Sequence, residues 1–376
     1  MRILCLLLFT IYSFNLFAQT YPIGQFSLFM EDPDRADRLV TAEMFYPAQA
    51  AGPNQLLADG LFPMIVFGHG FLMSYESYDN VKQHFINEGY IVMFLTTEEG
   101  LTPDHDAFAK DIAYMTNYIV DQAYEPQSFL KDHFIPKVAL IGHSMGGGAS
   151  VLAGDLSEHF ETYIGLAPAE TDPSAIAYAE NITLPALILS GSSDGVTPPG
   201  EHHLPIFENL ASECKVFVDI IGGAHCYFAN PDFACDFGEL ATSSGITITR
   251  EEQHQIFYDY TTSWLDSFLK DIPGALNDFI FPEGQDDRVN LTNSCMLPSS
   301  LNTTLSKQIS IFPNPASDFI YLKNSRENKS YFLYDRNGKL MQKGFVIDKI
   351  NTSDLPAQMY FLKLEMGDVF KVVIHR

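Results

Sequence analysis

Ser144 is the residue in this sequence best placed to act as a nucleophile. It stands in Gly142-His143-Ser144-Met145-Gly146, directly after the apolar run Lys137-Val138-Ala139-Leu140-Ile141 and before the small-residue run Gly147-Gly148-Ala149-Ser150. A G-x-S-x-G pattern between a strand and a helix makes a turn so sharp that glycines are needed where side chains would clash. The same turn aims the positive end of the helix at the reacting atoms. A serine hydroxyl needs a base to take its proton, and the base needs a carboxylate to fix its tautomer and stabilise its charged form. After Ser144 the next strand ending in a suitable acid is Ala186–Gly191, followed by Ser192-Ser193-Asp194-Gly195. Asp194 therefore sits on a loop at a strand's C-terminal end. The run Lys215–Ile220 then leads into Gly222-Gly223-Ala224-His225, which makes His225 the base. Asp219 lies inside that strand and reads as structural, and Asp172, on an earlier loop after Pro168, is the weaker rival acid. His202 and His203 follow Pro198-Pro199 at the start of a helix and read as lining or capping the pocket.

An acyl-transfer serine also needs donors for the oxyanion. The backbone N–H of Met145 supplies one, and Gly68-His69-Gly70-Phe71, after the strand Met64–Phe67, supplies the second from Phe71. Phe71, Tyr227 and Phe228 are the expected aromatic substrate surface. The chemistry needs neither a metal nor an organic cofactor.

The elements that must position these residues are short β-rich runs alternating with helices. Expected strands are Arg38–Tyr46, Met64–Gly68, Ile91–Leu95, Lys137–Gly142, Thr162–Leu166, Ala186–Gly191 and Lys215–Ile220. Several are continuous apolar runs, as strands covered on both faces are. Helices are expected over Asp104–Asp121, where Phe108, Ile112, Met115 and Ile119 fall at helical spacing, over Ser144–Leu156, and over Arg250–Lys270. Such alternation predicts an α/β fold with a mainly parallel sheet and helices on both faces. Beyond 309 the pattern changes to short runs separated by turns such as Arg336-Asn337-Gly338, the signature of a small all-β sandwich.

With the triad in place the chain resembles the secreted α/β-hydrolases, and within them the cutinase-like polyester hydrolases, platelet-activating-factor acetylhydrolases and dienelactone-hydrolase-like esterases. The resemblance runs from about Tyr21 to Lys270. It is carried by Asp34-Arg35-Ala36-Asp37-Arg38 before Val40–Pro47, by Gly68-His69-Gly70-Phe71, by Ser144-Met145-Gly146-Gly147-Gly148, by Leu184-Pro185 through Asp194 to Thr197-Pro198, and by Gly222-Gly223-Ala224-His225 with Asn230-Pro231. It implies an α/β-hydrolase fold and a serine carboxylic-ester hydrolase acting on short-acyl or bulky esters, polyesters included. One departure bears on substrate. The polyester hydrolases usually carry Trp after Pro on the loop that here reads Ala167-Pro168-Ala169-Glu170, and the single Trp of this chain, Trp264, lies in the late helix. The short gap between Leu166 and Leu184 leaves no room for a large lid, which favours an open cleft and disfavours a peptidase. The alternative from another class is an inactive hydrolase fold serving as a surface adhesin, which would lack or block a triad member.

The tail resembles the type A C-terminal sorting domain of the type IX secretion system of Bacteroidetes-type bacteria. Ile311-Phe312-Pro313-Asn314-Pro315-Ala316, Tyr334-Asp335-Arg336-Asn337-Gly338-Lys339, Leu355-Pro356-Ala357 with Met359-Tyr360, and the basic end at Lys371–Arg376 carry the likeness. It implies the type IX machinery as partner. The rival for this segment, a carbohydrate-binding sandwich, generally shows an exposed aromatic platform that is missing here.

Charge supports the division. The 376 residues carry a net −25; Gln19 to Ser306 holds 10 basic and 40 acidic residues, whereas Lys307 to Arg376 holds 11 and 7. Such acidity repels nucleic acid and anionic membranes. Met1-Arg2, the apolar Ile3 to Phe9 and the small-residue site at Phe17-Ala18-Gln19 read as a signal peptide, residues 1–18, too polar at Thr10, Ser13 and Asn15 for a transmembrane anchor. The expected organisation is signal, catalytic domain at 19–289, linker at 290–306 and sorting domain at 307–376, in a protein exported through the periplasm of a Gram-negative bacterium and released or held at its surface. Removing the signal leaves Cys214, Cys226, Cys235 and Cys295. Four cysteines in an exported protein suggest two disulfides with three possible pairings, and Cys226 and Cys235 are close enough to staple one loop.

Overall fold

The computed structural model describes residues 20–272, 274–276 and 286–295, and in the tail 310–312, 316–323, 329–335, 339–346, 349–364 and 369–375. The expected signal peptide and most of the expected linker lie outside the described residues.

The chain runs β1 (Ile23–Asp32), β2 (Arg38–Pro47), β3 (Gly52–Pro53), β4 (Phe62–Gly68), α1 (Asp79–Asn87), β5 (Ile91–Leu95), α2 (His105–Tyr124), β6 (Phe134–His143), α3 (Met145–Ala153), β7 (Phe160–Leu166), α4 (Ala175–Tyr178), β8 (Ala186–Gly191), α5 (His203–Asn209), β9 (Lys215–Ile220), α6 (Phe233–Thr242), α7 (Arg250–Phe268) and β10 (Val289–Asn293). One ten-stranded sheet has the order β10-β9-β8-β7-β6-β4-β5-β2-β1-β3. The strands β4 to β9 pair in parallel, while β2 joins β1 and β5, and β10 joins β9, antiparallel. This is an α/β-hydrolase architecture.

The apolar runs explain the layers. Along β4, Met64 and Val66 face a core shared with Phe108, Ile112 and Met115 of α2, while Ile65 and Phe67 face one shared with Val81 and Phe85 of α1 and Ile256, Phe257 and Trp264 of α7. Both faces are covered, so the strand is apolar throughout rather than alternating. Local chemistry sets the helix starts. Asp104 caps α2 by accepting from Ala107 N–H, and Thr249 with Glu252 forms a capping box on α7. The wholly buried Asp111 of α2 takes a two-pronged pair from Arg38 at 2.9 and 2.7 Å, which ties β2 to that helix.

The C-terminal boundary of the domain needs correction. Residues 289–293 add strand β10 against β9, with Val289 opposite Ile220 and Asn293 opposite Val216, and Cys295 is bonded to Cys214. The chain up to 295 therefore belongs to the hydrolase sheet, and a linker cannot begin at 290. Val289 and Leu291 are the only apolar positions of that strand, too weak an alternation to stand out among Ser, Thr and Asn. The second disulfide joins Cys226 to Cys235. Closing a loop of 81 residues removes much unfolded-state entropy, so the Cys214→Ser, Cys295→Ser double variant should lose about 4 kcal/mol of stability. Calorimetry should show Tm lower by on the order of 10 °C; an unchanged Tm would contradict this role.

The tail forms a three-stranded sheet and a four-stranded sheet, built by Ser310–Phe312, Phe319–Lys323 and Lys349–Asn351, and by Leu340–Val346, Lys329–Asp335, Met359–Leu364 and Val369–Val373. Within these two sheets the described strands pair antiparallel, and an isolated parallel bridge joins Ala316 to Ile374. Tyr360, Leu362 and Leu364 point inward at period two and pack with Ile320, Leu333, Ile350 and Val372. The expected all-β sandwich is what the tail forms.

Candidate active site

Every candidate residue lies at the C-terminal end of a parallel strand, where open α/β sheets gather their sites. Ser144 joins β6 to α3 with φ 55° and ψ −123°, a conformation that side-chain-bearing residues rarely adopt. It is held there from both sides: its N–H donates to Leu166 C=O at 2.9 Å and its C=O accepts from Ala169 N–H at 2.9 Å. The glycines are obligatory. A Cβ on Gly146 would lie 2.2 Å from Gly68 O, and one on Gly142 would lie 2.2 Å from Gly146 O.

Asp194 follows β8 and His225 follows β9. His225 Nδ1 donates to Asp194 Oδ2 at 2.7 Å, while Asp194 Oδ1 accepts from Val196 and Thr197 N–H at 2.9 and 2.8 Å. Burial alone would raise the Asp194 carboxyl, but the neighbouring His225, His203 and these hydrogen bonds hold it below the ordinary carboxylate range. The structure brings His225 and the elbow together through His143, whose ring lies 4.8 Å from that of His225 and whose Nε2–H donates to His225 C=O at 3.1 Å. The His225 side chain itself is bonded to Asp194 and Thr197. No bond from Ser144 Oγ to His225 is formed among the described residues, and pairs of this kind tighten when a reacting carbonyl sits on the serine.

The loop after β4 turns at Gly70–Met73, closed by Met73 N–H to Gly70 C=O at 3.1 Å with Leu72 at φ 57°, as a type II turn demands of its third residue. Phe71 is its second residue, 45% exposed, and its N–H has no backbone partner among the described residues. Met145 is the first residue of α3, so its N–H is one of the helix's free donors. Gly70 N–H donates to Tyr78 Oη at 2.8 Å, and the Tyr78 hydroxyl donates to His143 Nδ1 at 2.9 Å. The Gly70–Met73 turn, the elbow and the His225 loop are thus joined by one chain of buried hydrogen bonds. Tyr78→Phe should break that chain, lower kcat about 10-fold and, because Gly70 N–H and His143 Nδ1 are left buried and unpaired, cost about 1–3 kcal/mol of stability; kcat within twofold of the parent would show that the loop is held otherwise.

Sequence reasoning missed three supports. Tyr78 carried no motif signal, Thr197 was noted only as part of Thr197-Pro198, and Gln253 clamps the residue before His225, accepting from Ala224 N–H and donating to Ala224 C=O, both at 2.8 Å. His202 does border the site, accepting from Glu170 N–H at 2.9 Å. Asp172 and Asp219 stay apart from His225; Asp219 pairs with Asn290 of β10 at 3.2 Å. Tyr227 is half-buried under the Arg250 guanidinium. Phe228 must be withdrawn as a substrate contact: the short turn Cys226–Phe228 drives its ring into the core between His143 and Phe257, and it has no exposed surface. Trp264 is likewise in the core, donating to Thr162 Oγ1.

Two fully buried imidazoles make the site sensitive to acid. Burial pushes His143 well below its ordinary value and His203 down to about 3. Unfolded, each would take a proton near pH 6.5, so below that pH the unfolded chain binds more protons and stability falls. The loss is about 1.4 kcal/mol per pH unit per imidazole until the folded-state value is reached. Tm should therefore drop between pH 7 and pH 5, and a flat profile would contradict the assignment.

The family model for PET hydrolase-like proteins matches residues 23–241, from β1 through the elbow and the Asp194 and His225 loops into α6. The chain belongs to the PET hydrolase-like family. Residues 310–375 match a secretion system C-terminal sorting domain. The chain is 22% identical over 206 residues to the cutinase est1 of Thermobifida alba, covering 54% of this chain and 64% of that protein. It is 21% identical over 229 residues to the bis(hydroxyethyl) terephthalate hydrolase of Streptomyces coelicolor, covering 61% and 62%. The chain thus spans a little under two thirds of the length of these two relatives. The cutinase 1 of Thermobifida cellulosilytica is 21% identical over 205 residues, covering 54% and 72%. The family match ends inside α6, so α7, which supplies Gln253, and β10, with Cys295 two residues past its end, extend the PET hydrolase-like sheet and site beyond it. No helix among the described residues is long and apolar enough to cross a membrane.

Proposed function

We propose that this chain is an exported serine ester hydrolase of the cutinase and polyester-hydrolase kind, working through an acyl-enzyme. The observation that carries the reading is the buried Asp194–His225 pair set beside a strained serine elbow. His225 Nε2 takes the Ser144 proton as Oγ attacks the ester carbonyl, and the N–H groups of Met145 and Phe71 receive the oxyanion. His225 then protonates the departing alcohol. Water, deprotonated by the same base, releases the acid and restores Ser144. Asp194 stays ionised and orients the imidazole throughout.

Bulky, water-insoluble esters are the favoured substrates. Only a four-residue helix and a short turn fill the span from 167 to 184, which leaves no room for a large lid in that span. Close by, α6 packs its inner side on both catalytic loops, with Glu239 accepting from Cys226 N–H and Ser243 Oγ from Gly195 N–H, while Phe233, Phe237 and Leu240 face outward. Two of the relatives' names, cutinase and bis(hydroxyethyl) terephthalate hydrolase, fit the same class. The tail supports export by the type IX route to the cell surface or medium.

The test is to assay the full chain on p-nitrophenyl esters from acetate to palmitate, on bis(hydroxyethyl) terephthalate and on amorphous polyester film, alongside labelling by a serine-directed phosphonate. Expected are a label on Ser144 and hydrolysis that includes soluble film products. Short-ester activity without film products would narrow the substrate to small esters. Absence of label and turnover would favour the adhesin.

A further inference from the structure

His203 is wholly buried and plays no part in the acyl transfer just described, yet it touches the acid that orients the base. Thr197 Oγ1 lies 3.0 Å from Asp194 Oδ2, 3.0 Å from His203 Nε2 and 2.8 Å from His225 Nδ1, and Ser190 Oγ lies 2.8 Å from His203 Nδ1. A threonine hydroxyl has one proton to give and two lone pairs to fill, and an ionised carboxylate only accepts. Were the Thr197 proton turned toward His203, two electron-rich oxygens would face each other at 3.0 Å. The proton therefore goes to Asp194. The rest of the chain follows: His203 must present Nε2–H to Thr197, its Nδ1 is bare, and Ser190 Oγ–H donates to it.

We infer that His203 is a positioning residue that, through Thr197, fixes a second donor on the Asp194 oxygen that holds His225. The inference rests on the ester-hydrolase reading. That donor spreads the carboxylate's charge, which weakens its hold on a charged partner, and locks its rotation, so that His225 keeps its orientation. The ionisable groups facing this cluster are His143 on β6 and His202 at the start of α5, with Glu170 and Glu201 beside His202. His143 and His203 are both kept neutral by burial, which leaves Asp194 as the fixed charge within the buried cluster.

The experiment compares Thr197→Val, His203→Phe and their double variant with the conservative Thr197→Ser and His203→Gln in the full chain. The readouts are kcat and KM on a soluble ester from pH 5 to 9 and the ¹⁵N signals of the histidine rings. Each disruptive variant should lower kcat about 10-fold with KM within about twofold, and move the acid-side midpoint of kcat up by about half a pH unit. The double variant should be no worse than either single one, because both break the same chain. Serine at 197 and glutamine at 203 keep the hydroxyl and the Nε-type donor, and should hold kcat within about threefold of the parent. The His203 ring should show a protonated Nε2 and a bare Nδ1. Additive losses, an unmoved pH profile or a protonated Nδ1 would overturn the inference. Were the parent to show no Ser144-dependent turnover, the ester-hydrolase reading would fall while the tautomer still decided the relay.

Discussion

Ser144→Ala is expected to lower kcat on a p-nitrophenyl ester by about 10⁴-fold or more while leaving Tm nearly unchanged. The hydroxyl is the group that would form the covalent bond, and the elbow holding it is built by backbone: the Leu166 and Ala169 hydrogen bonds and the Gly68–Gly146 contact all persist without Oγ. A companion substitution separates chemistry from architecture. At φ 55° a side chain is strained, so Ser144→Gly should lose activity equally yet gain on the order of 1 kcal/mol of stability. Turnover by either variant within about 10-fold of the parent would remove Ser144 from the mechanism.

Asp194→Asn is expected to lower kcat by about 10⁴-fold at neutral pH with KM little changed. The geometry decides which way the new amide must face. Two backbone N–H groups, from Val196 and Thr197, point at Oδ1 and can be satisfied only by the amide oxygen. The NH₂ then lies where Oδ2 was, against His225 Nδ1, which must give up its proton to accept. The imidazole is left with Nε2–H facing Ser144, the wrong tautomer for a base. If Asp194→Asn retained a tenth of the parental rate at pH 7, another group would be orienting His225.

Much of the site was legible because its chemistry needs particular residue types at strand ends. The glycines around Ser144 leave a motif, and Asp194 and His225 each follow an apolar strand too regular to miss. What escaped was set by packing. Tyr78, Thr197 and Gln253 act through hydrogen bonds reaching 65, 28 and 29 residues along the chain, and nothing local marks them. Phe228 looked like substrate surface because it is aromatic and near His225, but direction is fixed by the tight turn that carries it, which sequence alone does not give. The antiparallel β1 escaped for a related reason: Phe26, Leu28 and Met30 share one face, but the apolar, exposed Phe29 on the other face hides the alternation, and the run ends in Glu31-Asp32. The domain end was misplaced because β10 is short and polar and gains its place by pairing with β9.

That last strand also settles how this sheet meets other molecules at its far side. Without it the rim would be β9, whose Val216-Phe217-Val218 core presents a regular row of unpaired amides, a template on which a second chain could stack. β10 occupies that row, and the cystine at Cys214–Cys295 keeps it from peeling away. The new rim is five residues long and shows exposed Asn290 and Thr292 outward. Copies crowded together at this side therefore meet a short, hydrophilic border that resists edge-to-edge growth into aggregates.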